Sequence, residues 1–325
     1  MENQALKKHY CYICDAILSY SFSAEDYISN EKFDIYRCLK CNLAITKPDL
    51  RSDDFDKYYS SLYYGRRKSF SDRLINNSRL RKIKRISESF EKKVAERSLL
   101  DIGCGDGGFI SLLASKGWRV FGTEIASKDS HAKAAPDYVC RKEISDCNLA
   151  NADFNIVTMW HSLEHFIEPL KYLKEASRIL KPDGILLLEV PNFNSWQSKI
   201  FKNNWFHLDV PRHVFHYDKK SLEFILKKAD FKILKISYNS LIYGLFGWIQ
   251  SCLNFFCRRK NLLFDLLNRK LGLADLKNHS VGARDFILTF VLVIPVSLFS
   301  LLFFIPEVVF KRGGIIIVWA RPNNI

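Results

Sequence analysis

The stretch Ser98-Leu99-Leu100-Asp101-Ile102-Gly103-Cys104-Gly105-Asp106-Gly107-Gly108 constrains this chain more than any other. A short apolar run ends in a cluster of glycines, and the following Phe109 to Lys116 reads as a helix that stops at Gly117. Strand, glycine turn and helix in that order open a doubly wound βαβ unit. Glycine is needed where the backbone turns tightly and where a ligand must approach the main chain without a Cβ in the way. Gly103, Gly105 and Gly108 also satisfy the GxGxxG dinucleotide fingerprint, a weak signal by itself.

Two acidic residues separate the candidate ligands. Asp101 lies at the strand end, two residues before Gly103, where its carboxylate suits a cationic group and would repel a pyrophosphate. The next strand, Trp118 to Thr123, ends at Glu124, about 20 residues after the glycines, where an acidic side chain accepts both ribose hydroxyls. An ammonium near Asp101 and a ribose at Glu124, with no phosphate demanded, describe S-adenosylmethionine. At these residues the chain resembles the class I S-adenosylmethionine-dependent methyltransferases, whose motif has the form DxGxGxG with an acidic residue closing strand two. Later segments keep the family order: Tyr138 to Cys140 as strand three, Phe154 to Trp160 as strand four, and His161-Ser162-Leu163-Glu164-His165 directly after it. Pro169 to Leu180 then reads as a helix, and Lys181-Pro182-Asp183-Gly184 as a turn into Ile185 to Val190. Phe231 to Tyr238 and Gly314 to Ala320 fit the terminal antiparallel hairpin. The resemblance implies an α/β fold with a doubly wound, seven-stranded, Rossmann-like sheet. It also implies a cofactor-binding set of Asp101, Gly103, Gly105, Gly107, Glu124, Ile125, Trp160 and His161.

Ahead of this core, Cys11, Cys14, Cys38 and Cys41 form CxxC-x23-CxxC. Each CxxC wraps two thiolates around one face of a Zn²⁺, and two such knuckles close a tetrahedral S₄ site with no open position, hence a structural one. Asp15 and Asn42 stand where zinc knuckles often carry Gly, and both residue types tolerate left-handed backbone. No apolar run follows the N-terminal positive charges, so a cytoplasmic chain is expected, and the nine cysteines, with two CxxC pairs among them, point in a reducing compartment to metal thiolates sooner than to disulfides. Residues 1–50 are read as the zinc-ribbon head. Residues 51–97 form a basic helical connector, in which Arg66 to Arg85 carry nine basic side chains against Asp72 alone. Its two readings are a solvated basic face and a contact with anions or a membrane surface.

Residues 98–240 form the cofactor-binding core and 313–325 its last strand. After strand five, the loop Trp205-Phe-His207-Leu-Asp209-Val-Pro211-Arg212-His213-Val-Phe-His216-Tyr217 lies where such folds bind ligands, and it forms a candidate acceptor pocket. The segment is similar to one in bacterial methyltransferases associated with cell-surface polysaccharide, and more loosely to zinc-headed sugar C-methyltransferases. That likeness makes His213 the candidate base, with His161 as the second choice, although Arg212 replaces the acidic neighbour of the pattern. The net charge of +14 favours anionic partners. However, no (D/N)PPY follows strand four and no Pro-Cys dipeptide exists, which demotes nucleic acid. The expected function is methyl transfer to a glycan precursor, nucleotide sugar or lipid-linked acceptor; the alternative is an RNA methyltransferase using the head and basic helix.

Residues 241–312 are an apolar and basic helical insertion before the last strand. No charged side chain occurs in 241–257 or 286–306. Inserted between two paired strands, the segment must leave and return on one side of a membrane, which excludes a single span. Two spans would carry Arg258 to Arg284, with seven basic residues against Asp265 and Asp275, across the bilayer against the positive-inside rule. Monotopic attachment at the inner face of the cytoplasmic membrane is therefore expected, with Pro295 kinking the second helix and basic residues at anionic headgroups. The alternative is an apolar cap or homodimer contact.

Overall fold

In the computed structural model, residues 9–50, 55–59, 70–88, 97–125, 138–268 and 282–323 are described. Arg66 to Ser69 of the basic connector and residues 269–281 of the insertion lie outside the described residues. In chain order the strands are β1 (Leu18–Glu25), β2 (Lys32–Cys38), β3 (Ala44–Lys47), β4 (Ser98–Ile102), β5 (Arg119–Thr123), β6 (Val139–Cys140), β7 (Phe154–Trp160), β8 (Leu180–Pro191), β9 (Phe215–His216), β10 (Phe231–Ser237) and β11 (Ile315–Pro322). The helices are α1 (Phe55–Tyr58), α2 (Phe70–Glu88), α3 (Gly108–Ala114), α4 (Pro169–Ile179), α5 (Trp196–Phe201), α6 (Lys219–Lys228), α7 (Leu241–Phe256), α8 (Leu262–Leu267) and α9 (Ala283–Val309).

Seven strands form the main sheet in the order β10-β11-β8-β7-β4-β5-β6. β4 and β7 are buried along their whole length, as the apolar runs of a parallel sheet covered on both faces must be. β11 enters antiparallel between β8 and β10, pairing Val318 with Leu188 and with Ile236, so the terminal hairpin closes the sheet. One face is covered by α4 and α6, through Leu173, Ala176, Leu222 and Ile225. The other face meets α2 and α3, through Ile83, Ile86, Phe109 and Ile110.

The head is a second sheet of order β1-β2-β3-β9. Its last strand comes from the acceptor loop, since Ala44 pairs with His216 and Ile45 with Phe215. Cys11, Ile13 and Leu43 share one core with Phe215 and Tyr217. The head is thus built into the acceptor wall instead of hanging from it.

Several expectations are corrected. The expected turn at Lys181 to Gly184 belongs to β8, which starts at Leu180 because that residue already pairs with Phe154. Cys140 and Cys147 form a disulfide, against the expectation of thiols; Cys140 ends β6 and Cys147 ends a 3-10 turn only seven residues on. α9 is one continuous helix that includes both Pro295 and Pro306. Packing against α7 on both sides of Pro295, at Thr289 and at Phe304, holds the helix across the missing N–H.

Candidate cofactor and acceptor site

β4 delivers Asp101 to the glycine turn, and the turn is shaped by glycine conformations. Gly103, Gly105 and Gly107 have φ of +79°, +60° and +75°. A Cβ on Gly103 would stand 2.5 Å from Cβ of Ser162, whose hydroxyl donates to the Ile102 carbonyl at 2.8 Å. This contact fixes the turn after β7 against the turn after β4. A Cβ on Gly105 would meet nothing within 4 Å, so that face of the turn stays open to a ligand.

Two carboxyl groups flank the opening. Asp101 is buried and accepts from the Thr158 hydroxyl at 2.6 Å; burial raises its pKa to about 6, with Arg79 opposing. Glu124 accepts from the Gly105 amide at 2.6 Å, and burial raises its pKa to about 7 in spite of that bond. Two desolvated carboxyls at one glycine turn call for a ligand with positive charge and hydroxyl donors. Ile125, half exposed, follows Glu124 at the rim. Trp160 lies under α2, with Arg79 and Lys82 over its ring at 5.2 and 5.3 Å and Phe109 edge-on at 5.8 Å.

His161 follows Trp160 with φ +52° and lies between two buried carboxylates. Its Nδ1 is 3.5 Å from Glu164 and its Nε2 3.6 Å from Glu189. Burial opposes charge on the ring, but these carboxylates outweigh it and raise the pKa above the ordinary value. Glu189 is itself paired with Lys82 of α2 and accepts from Ser240 at 2.9 Å. Burial works against its charge, yet Lys82 and His161 hold its carboxyl well below the usual range. Tyr243 of α7 lies 4.3 Å from the His161 ring. The motifs do not single out Lys82, Glu189 or Tyr243; the only signal is one acid inside the apolar run Ile185 to Val190.

The loop histidines divide by environment. His207 donates to the Tyr243 carbonyl at 3.1 Å, His216 meets Thr46 Oγ1 at 2.9 Å, and burial lowers the pKa of each to about 3. His213 is buried beside His165, and both effects push it well below its ordinary value. Its Nδ1 is 3.0 Å from the His207 carbonyl, so the proton resides there and Nε2 keeps a lone pair. Arg212, fully buried, pairs with Asp26 at 2.6 Å and Asp209 at 2.8 Å. It clamps the loop to the head and does not line the pocket.

In the head, Cys11 and Cys41 sulfurs are 3.5 Å apart and Cys14 and Cys38 sulfurs 3.4 Å. All four lie within 4.8 Å of one another, a set that could hold one metal ion. Asp15 and Asn42 have φ of +57° and +66°, the left-handed backbone expected of knuckle residues.

The sequence profile described as "Methyltransferase domain" matches residues 73–236, 164 of the 325 residues. The ubiquinone biosynthesis O-methyltransferase of Idiomarina loihiensis is 32% identical over 169 residues, covering 48% of this chain and 69% of that protein. The enzyme of the same name from Histophilus somni is 25% identical over 140 residues, 39% of this chain and 59% of that protein. The chain thus spans about three fifths of that relative's length. A SAM-dependent methyltransferase structure from Archaeoglobus fulgidus superposes with a TM-score of 0.46 at 19% identity, covering 77% of this chain and 93% of that one. The chain belongs to the class I S-adenosylmethionine-dependent methyltransferase family. The site fits that cofactor: Asp101 would hold its ammonium group and Glu124 its ribose hydroxyls, against the bare backbone of Gly103 to Gly107. When bound, it supplies a methyl group activated by the sulfonium.

Proposed function

We propose that the protein methylates an oxygen or carbon of a lipid-linked or membrane-partitioned acceptor, such as a glycan precursor, while attached to one leaflet of an anionic membrane. The observation that carries this is the inverted amphipathicity of α9. Its buried residues are Asp285, Thr289, Val296, Ser300, Phe304 and Glu307, four of the six polar, and its exposed ones include Ile287, Phe290, Val291, Ile294, Leu298, Leu301, Leu302 and Ile305. A helix in water hides its apolar face; a helix against hydrocarbon turns polar groups toward its protein neighbour. Glu307 does so here, accepting from Trp248 Nε1 of α7 at 2.7 Å. α9 is long and apolar enough to cross a membrane, but β10 and β11 pair at its base, so it would lie in one leaflet.

α7 links this surface to the pocket, because Tyr243 touches His161 and Ser240 touches Glu189. An acceptor anchored in lipid would arrive at that edge. Relatives named for ubiquinone biosynthesis O-methylation favour a small hydroxyl-bearing acceptor over RNA. In this reading the chain chiefly positions the acceptor in line with the activated methyl group. His161, whose pKa the two carboxylates raise, donates to the acceptor in its protonated form. His213, neutral with its Nε2 lone pair, accepts the proton. The four thiolates hold a structural zinc, which fixes the head that clamps the acceptor loop.

Flotation with anionic phosphatidylglycerol vesicles tests the reading. The protein should float, and salt should weaken binding only in part, since apolar burial is insensitive to salt. Recovery wholly in the soluble fraction at low salt, with steeply salt-dependent RNA binding instead, would favour the RNA enzyme.

A further inference from the structure

We propose that Glu164, His165 and His213 form a second metal site, which takes a divalent first-row transition cation and is separate from the four thiols. One ligand atom from each of the three lies within 4.8 Å of the other two. Glu164 and His165 belong to the 3-10 turn Leu163–His165 after β7, and His213 belongs to the acceptor loop. The cation would therefore staple two loops that already meet through the Val214 N–H to Glu164 carbonyl bond at 2.9 Å and the His165 Nδ1 contact with the Arg212 carbonyl at 3.0 Å.

Three observations converge on a cation. The first is Glu164, which is 1% exposed. Neither of its carboxylate oxygens accepts a hydrogen bond from the described residues. Its nearest cationic candidates are ring nitrogens, His161 Nδ1 at 3.5 Å and His213 Nε2 at 4.0 Å. The His161 ring is shared with Glu189, so with no hydrogen bond on either oxygen the buried Glu164 carboxylate has room for a further cation.

The second is the orientation of the imidazoles. His165 Nδ1 lies 3.0 Å from the Arg212 carbonyl, and His213 Nδ1 lies 3.0 Å from the His207 carbonyl. A carbonyl oxygen only accepts, so the His213 ring carries its proton on Nδ1 and keeps a lone pair on Nε2; His165 Nδ1 also meets the Tyr59 hydroxyl at 2.8 Å, which accepts from it when the proton sits there. Metal-ligating histidines are usually set in this way by the bond their other nitrogen makes.

The third is the donor set. Two imidazoles and one carboxylate suit Zn²⁺, Fe²⁺ or Mn²⁺, whereas Mg²⁺ and Ca²⁺ prefer oxygen alone. The neighbouring Asp209 comes within 4.0 Å of His213 Nε2 but is held by Arg212. Three protein ligands would leave at least one coordination position for water or a substrate oxygen.

This inference rests on the pocket described under the proposed function and changes one role in it. With the cation bound, His213 is a ligand and no longer the base; the cation would lower the pKa of a coordinated acceptor hydroxyl, whose proton would pass to bulk water.

The test uses the full-length protein, stripped with a chelator and reloaded with Zn²⁺ alone, followed by metal analysis. Wild type should retain about two equivalents per chain. Glu164→Gln and His165→Gln should each retain about one, and Glu164→Asp should recover part of the second. Reloading with Co²⁺ separates the sites: thiolate charge-transfer bands should survive Glu164→Gln and vanish in Cys38→Ser. Calorimetric binding of S-adenosylmethionine by Glu164→Gln should persist, which establishes that the variant is folded. One equivalent in wild type, unchanged by Glu164→Gln and lost in Cys38→Ser, would overturn the second site. That outcome leaves the methyltransferase reading intact, because cofactor binding and flotation are measured without this metal.

Discussion

At the scale of single residues, the glycine turn and its two carboxyls carry the sharpest expectations. Gly105→Asp should abolish S-adenosylmethionine binding in calorimetry, because it puts a third carboxylate at positive φ into the open face of the turn. Glu124→Ala should weaken binding by about 1 to 3 kcal/mol through lost ribose hydrogen bonds. Binding should also depend on pH. Asp101 and Glu124 have pKa values raised to about 6 and about 7, so both must lose protons to hold an ammonium and two hydroxyls. Affinity should therefore rise between pH 5.5 and 8, and Glu124→Gln should flatten the upper part of that rise. Stability runs the other way. A folded-state pKa above the unfolded one means the folded chain holds the extra proton, so Glu124 contributes stability at low pH that is lost as pH rises through about 7. Thermal melts of wild type against Glu124→Gln, without ligand, should diverge over that window. The motif made the glycine turn and the placement of Asp101 and Glu124 beside it legible, because that geometry is set within about 25 residues of sequence. Lys82 and Glu189, separated by 107 residues, are coupled only through the fold.

At the scale of elements, α2 shows how charge serves packing. Ile83 and Ile86 are buried beneath it, and Arg79 and Lys82 cover Trp160. The helix is thus a lid on the core through its basic side chains as well as its apolar ones. Lys82→Ala should cost about 3 to 5 kcal/mol in chemical denaturation, since it leaves Glu189 buried with only His161 for a cation. Glu189→Gln in the same background should recover part of that loss. The head behaves likewise as a shared element. Cys38→Ser should lose the zinc proposed for the head, as read by metal analysis. Because β9 completes the head's sheet, hydrogen exchange should then quicken at Phe215 and His216 as well as in β2 and β3. Unchanged exchange at Phe215 would mean that the head is uncoupled from the acceptor loop.

At the scale of the whole molecule, the two sheets and the α7–α9 pair converge on one pocket edge. Phe290→Asp with Leu302→Asp should release the protein from anionic vesicles, since each charge placed in hydrocarbon costs about 2.5 to 3.5 kcal/mol. Both side chains are more than half exposed, so the folded core should keep its cofactor affinity. If a second copy covers this face instead, the double variant should shift from dimer to monomer in sedimentation, with no change in vesicle binding.

The sequence by itself determined the local pieces of this protein. These are the strand–glycine–helix opening, the alternation that builds a seven-stranded sheet, the paired CxxC knuckles with left-handed Asp15 and Asn42, and an insertion too apolar for an ordinary surface. Each depends on periodicity or spacing within a few tens of residues, and such patterns survive without knowledge of the fold. Tertiary structure alone decided which distant pieces meet. It placed Lys82 on Glu189, drew β9 into the head, set Tyr243 against His161 and gathered Glu164, His165 and His213. It also turned the polar stripe of α9 inward. The physical reason is common to all of these: burial makes a lone charge or polar group costly, and only the folded chain reveals which partner from elsewhere in the sequence relieves that cost.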